Sequence, residues 1–145
     1  MRPVRMRRLV AARWLVPMVI LTLAVCLPKA SAATRVITDA DKGATVHLKV
    51  GDVLEVRLRA NPSTGYMWYL HKDSTRLLKL TGQSQTEPTE PGVGRPVFQI
   101  FKFDARSVGD GVLLLHYVRS WEPPSADEER FDLHVTVKSN LTNVE

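Results

Sequence analysis

Along much of this chain apolar and polar residues alternate. From Thr45 to Val50, Val46, Leu48 and Val50 fall on one face, with His47 and Lys49 on the other. From Val53 to Ala60 the same period returns, with Leu54, Val56, Leu58 and Ala60 set against Glu55, Arg57 and Arg59. A period of two with β-branched residues predicts half-buried strands. Gly51-Asp52 between them is a turn signal, so the two runs are expected to pair as a hairpin. Phe131 to Val137 alternates as cleanly, placing Phe131, Leu133, Val135 and Val137 inward. Val112 to Val118 is nearly continuous in apolar residues and predicts a central strand. Tyr66 to Leu70 and Leu77 to Leu80 read as short strands. Val97 to Phe103 breaks parity, with Phe98 and Ile100 on one side and Phe101 and Phe103 on the other. That pattern predicts either cover on both faces or a bulge.

Between these runs the chain carries turn formers. Residues 34–44 read as a polar lead-in, and Thr81 to Pro96 as a long loop rich in Gly, Pro, Thr and Glu. Asn61-Pro62-Ser63-Thr64-Gly65 has a turn former at every position, and Gly109-Asp110-Gly111 reads as a turn. Arg119 to Glu129 is a second Pro-rich, charged loop. No helical period and no internal repeat stands out. Several short strands with frequent turn signals predict an all-β fold, an immunoglobulin-like antiparallel β-sandwich.

Charge changes the picture only at the N-terminus. The chain of 145 residues has a formal net charge of +5, with 20 Lys and Arg against 15 Asp and Glu. Six of the basic groups (Arg2, Arg5, Arg7, Arg8, Arg13 and Lys29) fall in the first 32 residues, which hold no acid. The remainder carries 14 basic and 15 acidic groups, a net of −1. The basic balance therefore gives no support to a nucleic-acid partner. Arg2 to Arg13, the apolar run Trp14 to Leu27 and the small residues Ala30-Ser31-Ala32 form the three zones of a secretory signal peptide. As a helix, that apolar run would span about 21 Å, short of the roughly 30 Å hydrocarbon core of a bilayer. Residues 1–32 are thus expected to be an export signal and 33–145 the working domain, secreted or periplasmic. A membrane attachment would require lipidation of Cys26. Cys26 is the one cysteine of the chain, so the sandwich is expected to stand without a disulfide and to rely on burial alone. A thiol nucleophile and a zinc–thiolate site are excluded from the working domain.

Candidate chemistry is sparse. His47, His71, His116 and His134 have no metal-ligand spacing and read as surface imidazoles. Ser63, Ser107 and Ser120 lack a nucleophile-elbow context. The Asp127-Glu128-Glu129 run reads as a solvated loop rather than a catalytic pair. Neither an enzyme nor a cofactor is indicated. Three loops do stand out, at 61–66, 92–95 and 119–124, each at a predicted strand end. A sandwich gathers loops at its two ends, and Tyr66, Trp68 and Trp121 lie in or beside two of them. Aromatic residues at an exposed edge suit a protein interface.

The same loops carry a resemblance. Asn61-Pro62-Ser63-Thr64-Gly65-Tyr66 is similar to the NPTTGY loop of the chagasin family, inhibitors of papain-like cysteine peptidases. Gly92-Val93-Gly94-Arg95 resembles that family's GxGG loop, and Arg119-Ser120-Trp121 its RPW loop, in the family's order. The resemblance spans about residues 40–138. It implies an immunoglobulin-like fold and a monomer that wedges three loops into a peptidase cleft without covalent chemistry. By position, Pro62, Ser63, Thr64 and Gly65 would lie over the peptidase's catalytic pair. Gly92 to Arg95 would run along the substrate cleft, and Arg119 and Trp121 would pack on the far rim. Arg119 has a second reading, as the partner of a loop acid, and Trp68 reads as core. Arg95 stands where the family has a second consecutive glycine, and Ser120 where it has proline; both departures bear on affinity and target range. The alternative is a non-inhibitory immunoglobulin-like binding or adhesion module that keeps the scaffold with altered loops.

Overall fold

A computed structural model of the chain describes residues 31–86 and 97–140. The expected signal segment lies almost wholly outside the described residues. The strands are β1 (Thr34–Thr38), β2 (Thr45–Lys49), β3 (Val53–Ala60), β4 (Met67–Leu70), β5 (Leu78–Gln85), β6 (Val97–Ala105), β7 (Gly109–Val118) and β8 (Glu129–Lys138). Two short 3-10 turns, Asp39–Asp41 and Pro62–Thr64, are the helical elements among the described residues. The strands form two four-stranded sheets, in the orders β1-β3-β6-β5 and β2-β8-β7-β4. The core lies between them. β3 contributes Leu54, Val56 and Leu58, β6 contributes Phe101 and Phe103, β7 contributes Leu113 and Leu115, and β8 contributes Phe131, Leu133, Val135 and Val137, all of them buried. Burying each such side chain stabilises the fold by about 1.5–3 kcal/mol, and with a single cysteine in the chain no internal disulfide can add to that. The expected disulfide-free sandwich is the fold observed. Each sheet is mixed, because β1 pairs parallel with β3 and β2 pairs parallel with β8.

Several local expectations are corrected. β2 and β3 are not a hairpin; they lie in opposite sheets. The Gly51-Asp52 corner carries the chain across the core, with Gly51 at φ 92°. Val50 N–H donates to the Lys138 carbonyl at one sheet (2.9 Å) and Gly51 N–H to the Ala105 carbonyl at the other (2.8 Å). Alternation gives the inward face of a strand and leaves its partner undetermined. The polar lead-in contains β1, which shows no period because only Ile37 packs against the core while Val36 stays exposed. Residues 81–85 belong to β5 rather than to a loop, and residues 109–111 open β7 rather than forming a turn. Gly111 answers to crowding, since a Cβ there would stand 2.3 Å from Thr75 Oγ1. The irregularity expected in β6 sits in its neighbour: the register of β5 shifts between Leu80 and Gly82. β6 itself alternates without a break, burying Val97, Gln99, Phe101, Phe103 and Ala105. Gln99 is a polar residue at an inward position, which hid that period. β7 is an interior strand of its sheet, as its apolar run predicts.

Candidate functional site

The strand ends bring two of the predicted loops, 61–66 and 119–124, to one end of the sandwich. β3 leaves its sheet at Ala60, which is in register with Val97, the first residue of β6. β4 enters the other sheet at Met67, in register with Val118, the last residue of β7. The 61–66 loop therefore bridges the two sheets, and the 119–124 loop departs beside its far side. Gly92, Val93, Gly94 and Arg95 lie outside the described residues, but the chain enters β6 next to the point where the 61–66 loop begins.

The 61–66 loop is tightly built. Pro62 opens the 3-10 turn, where its fixed φ suits a first helical position and its missing N–H costs nothing. Thr64 N–H donates to the Asn61 carbonyl at 3.1 Å, and Gly65 N–H to the Pro62 carbonyl at 2.9 Å. Side chains repeat these bonds: the Thr64 hydroxyl donates to the Asn61 carbonyl (2.7 Å) and the Ser63 hydroxyl to Asn61 Oδ1 (2.5 Å). Gly65 ends the turn at φ 81°, a left-handed conformation that costs a residue with a Cβ about 1–2 kcal/mol. Asn61 and Tyr66 close the base as an isolated β-bridge. Ser63 and Thr64 are exposed at the tip.

The 119–124 loop folds onto this turn. Arg119 Nε donates to the Thr64 carbonyl at 2.9 Å, and its Nη1 pairs with Glu122 Oε1 at 2.7 Å. Its guanidinium lies over the Tyr66 ring, 4.3 Å from the centroid. The hydrogen bond that Arg119 donates to Glu122 raises the pKa of Arg119 further above its ordinary value, so the group is charged at any working pH. Trp121 covers Gly65 so closely that a Cβ there would stand 2.2 Å from the indole Cη2. The rest of the indole faces outward, leaving Trp121 68% exposed. Arg119 thus pairs with a loop acid, as the second of its two readings has it.

Two residues that sequence reasoning passed over hold this assembly from below. Tyr117 stacks between Tyr66 (centroids 5.4 Å apart) and Trp68 (5.0 Å), and its hydroxyl accepts a hydrogen bond from Asn61 N–H at 2.9 Å. Gln99 brackets Trp68: its Oε1 accepts from Trp68 N–H (2.9 Å) and its Nε2 donates to the Trp68 carbonyl (2.8 Å). Trp68 is core, as expected, with its indole N–H on the Arg59 carbonyl at 2.9 Å. Parity was the available signal for both residues, since Tyr117 follows Leu113 and Leu115, and Gln99 precedes Phe101, at inward positions.

The acidic run is a structured loop base. Glu128 Oε1 accepts from Ser125 N–H at 2.8 Å, and its other oxygen faces His116 Nδ1 at 3.4 Å. The Ser125 N–H above all, then His116 and Arg130, holds the Glu128 carboxyl below its ordinary pKa. His116 meets His71 edge to face at 5.3 Å. Among the described residues no group of three or more His, Cys, Asp or Glu could hold a metal ion. What the site presents is a small rigid turn with an exposed aromatic beside it, an arrangement suited to contact and not to bond-making chemistry.

Comparison with known proteins places the chain in a family. Residues 47–135 match the family model described as "Chagasin family peptidase inhibitor". Chagasin of Trypanosoma cruzi is 31% identical over 103 residues, covering 68% of this chain and 94% of that protein. The crystal structure of a cysteine protease inhibitor from Entamoeba histolytica superposes with a TM-score of 0.63 at 28% identity, covering 74% of this chain and 97% of that one. PbICP-C, solved in complex with falcipain-2, has a TM-score of 0.52 over 77% of this chain and 96% of its own. At 22% identity, that last likeness is one of fold. The matched region takes in the 61–66 turn, the segment holding 92–95 and the 119–121 loop, and on that ground the chain belongs to the chagasin family of peptidase inhibitors.

Proposed function

We propose that the protein is exported and inhibits papain-like cysteine peptidases by reversible occlusion of their active-site cleft. Three loops would carry the contact. Pro62, Ser63, Thr64 and Gly65 cover the peptidase's catalytic pair, with Asn61 and Tyr66 as the base of the turn. Gly92, Val93, Gly94 and Arg95 follow the substrate cleft, and Trp121 packs on the rim. The observation that carries this reading is the 61–66 turn itself. Its backbone is closed by its own hydrogen bonds, its tip exposes only the small residues Ser63 and Thr64, and Trp121 stands exposed beside it. A preformed loop loses little entropy on binding, and a small tip fits a narrow cleft. Family membership supports the peptidase as partner, and the fold is shared with a protein solved in complex with falcipain-2.

Titration of papain-like peptidases with the purified protein tests the reading. Stoichiometric loss of activity is expected. Absence of inhibition at micromolar concentration across several such peptidases would leave a binding or adhesion module instead. Export is tested by intact-mass analysis of the protein recovered outside the cytoplasm. A chain beginning near Ala33 is expected, whereas a retained Cys26 bearing a lipid would place the protein at a membrane.

A further inference from the structure

Arg119 was expected to meet the peptidase. Its surroundings point elsewhere. The carbonyls at the end of a helical turn have no partner within the turn, and the Thr64 carbonyl finds one in Arg119 Nε at 2.9 Å. Glu122 fixes the same guanidinium from its own loop at 2.7 Å, and the Tyr66 ring lies beneath it at 4.3 Å. One planar group thus touches the tip of one loop, the base of that loop and the middle of the next. Arginine suits this task, because its fork serves two acceptors at fixed angles while its face stacks on an aromatic ring. A second contact runs in parallel, the Trp121 indole lying over Gly65. The described residues give the tip no other tie to the 119–124 loop.

We propose that Arg119 is a positioning residue that locks the 61–66 and 119–124 loops into a single preorganised unit, so that the turn and Trp121 reach the peptidase together. The inference rests on the inhibitory reading for its consequence, but the lock itself is a property of the free protein. It assigns Glu122 a role as well, that of holding the guanidinium at the angle that reaches Thr64.

Three variants separate positioning from direct contact. Arg119→Ala removes the guanidinium's part of the tie, leaving Trp121 over Gly65, and is expected to weaken inhibition about 10- to 100-fold. Arg119→Lys keeps the charge but cannot serve Thr64 and Glu122 while stacking on Tyr66, so it is expected to lose nearly as much. A contact residue facing a peptidase acid would be largely rescued by lysine. Glu122→Ala is the sharpest case. It leaves Arg119 in place and freer to reach a partner, so direct contact predicts unchanged or tighter inhibition, whereas positioning predicts weakening of about two- to fivefold. Amide hydrogen exchange on the free protein reads the lock without any peptidase. Exchange at Thr64, Gly65 and Tyr66 should quicken in all three variants, while the amides of β7 and β8 stay as in the parent. Unchanged exchange at the tip overturns the inference whether or not the protein inhibits. Quickened exchange in a protein that inhibits nothing would uphold the lock and sink the inhibitory reading.

Discussion

The two ends of the sandwich are tied in different ways. At the end away from the site, backbone binds backbone, and the Asp52 and Asn140 side chains add to those bonds. Val50 N–H meets the Lys138 carbonyl, Gly51 N–H the Ala105 carbonyl, Ala105 N–H the Asp52 carbonyl and Arg106 N–H the Leu77 carbonyl, all within 2.9 Å. Such bonds follow from topology and tolerate many side chains. At the site end the loops are joined by side chains: Arg119 to Thr64, Tyr117 to Asn61, and Trp121 over Gly65. Those ties depend on residue identity. The difference teaches that the shape of the loop edge can change with single substitutions while the scaffold persists, as would suit the proposed use of these loops in binding.

The largest effect expected from this contrast is at Trp121. Trp121→Ala should weaken inhibition by about 2–4 kcal/mol, as truncation of an aromatic anchor does. Its stability should change by no more than about 0.5 kcal/mol, because the ring is exposed. Inhibition constants set beside thermal melts check both halves. A large fall in melting temperature would show that the side-chain ties hold the scaffold too, and the contrast would fail. Gln99 probes the boundary between the two regimes. It is a side-chain tie, but a fully buried one beneath the loops. Gln99→Leu keeps the volume and leaves the Trp68 N–H and carbonyl unpaired, at a cost of about 2–3 kcal/mol in denaturant unfolding. A neutral result would mean that Trp68 finds other partners, and that the 61–66 turn does not depend on this support.

The same contrast explains what could be read from the chain alone. The inward faces of β2, β3 and β8 were legible because alternation reports burial directly. Partnership was not: Gly51-Asp52 looks the same whether it closes a hairpin or crosses between sheets, since the choice is settled by distant carbonyls at Ala105 and Lys138. β1 and the second half of β5 were invisible because their backbone pairs while most of their side chains stay exposed. At the site end, the loop motifs marked the 61–66 and 119–124 segments, which the fold brings side by side. They did not reveal that Arg119 turns inward to Thr64, because a hydrogen bond across 55 residues leaves no local pattern. Tyr117 and Gln99 were obscured for the opposite reason, as polar atoms at inward positions where periodicity looks for hydrocarbon.

Asp52 sharpens the contrast from the far end, with a smaller effect. Its carboxylate accepts from Ala33 N–H at 3.0 Å and from Lys49 N–H at 2.8 Å, the clearest side-chain tie at that end. Asp52→Ala should cost about 1–2 kcal/mol of stability and leave inhibition within about twofold of the parent. Loss of inhibition there would mean that the two ends communicate through the sheets.

The smallest effect concerns Glu128, whose carboxylate closes the base of the 119–129 loop on Ser125 N–H and faces His116. Its folded pKa is lowered, chiefly by the Ser125 N–H. A carboxyl with a lowered folded pKa contributes stability that is fully present above its unfolded value, about 4.3, and is lost as pH falls through the folded value. Glu128→Gln preserves an oxygen for Ser125 and removes only the charge. The stability gap between parent and variant should therefore be constant above the ordinary glutamate range and close as pH falls below it. Melts at stepped pH measure the gap, and the Ser125 amide resonance reports whether the loop base opens with it. If the site end is governed by side-chain identity, that opening should remain local and β8, a few residues on, should stay ordered. An opening that spreads into β8 would show that the loop base and the sheet form one cooperative unit.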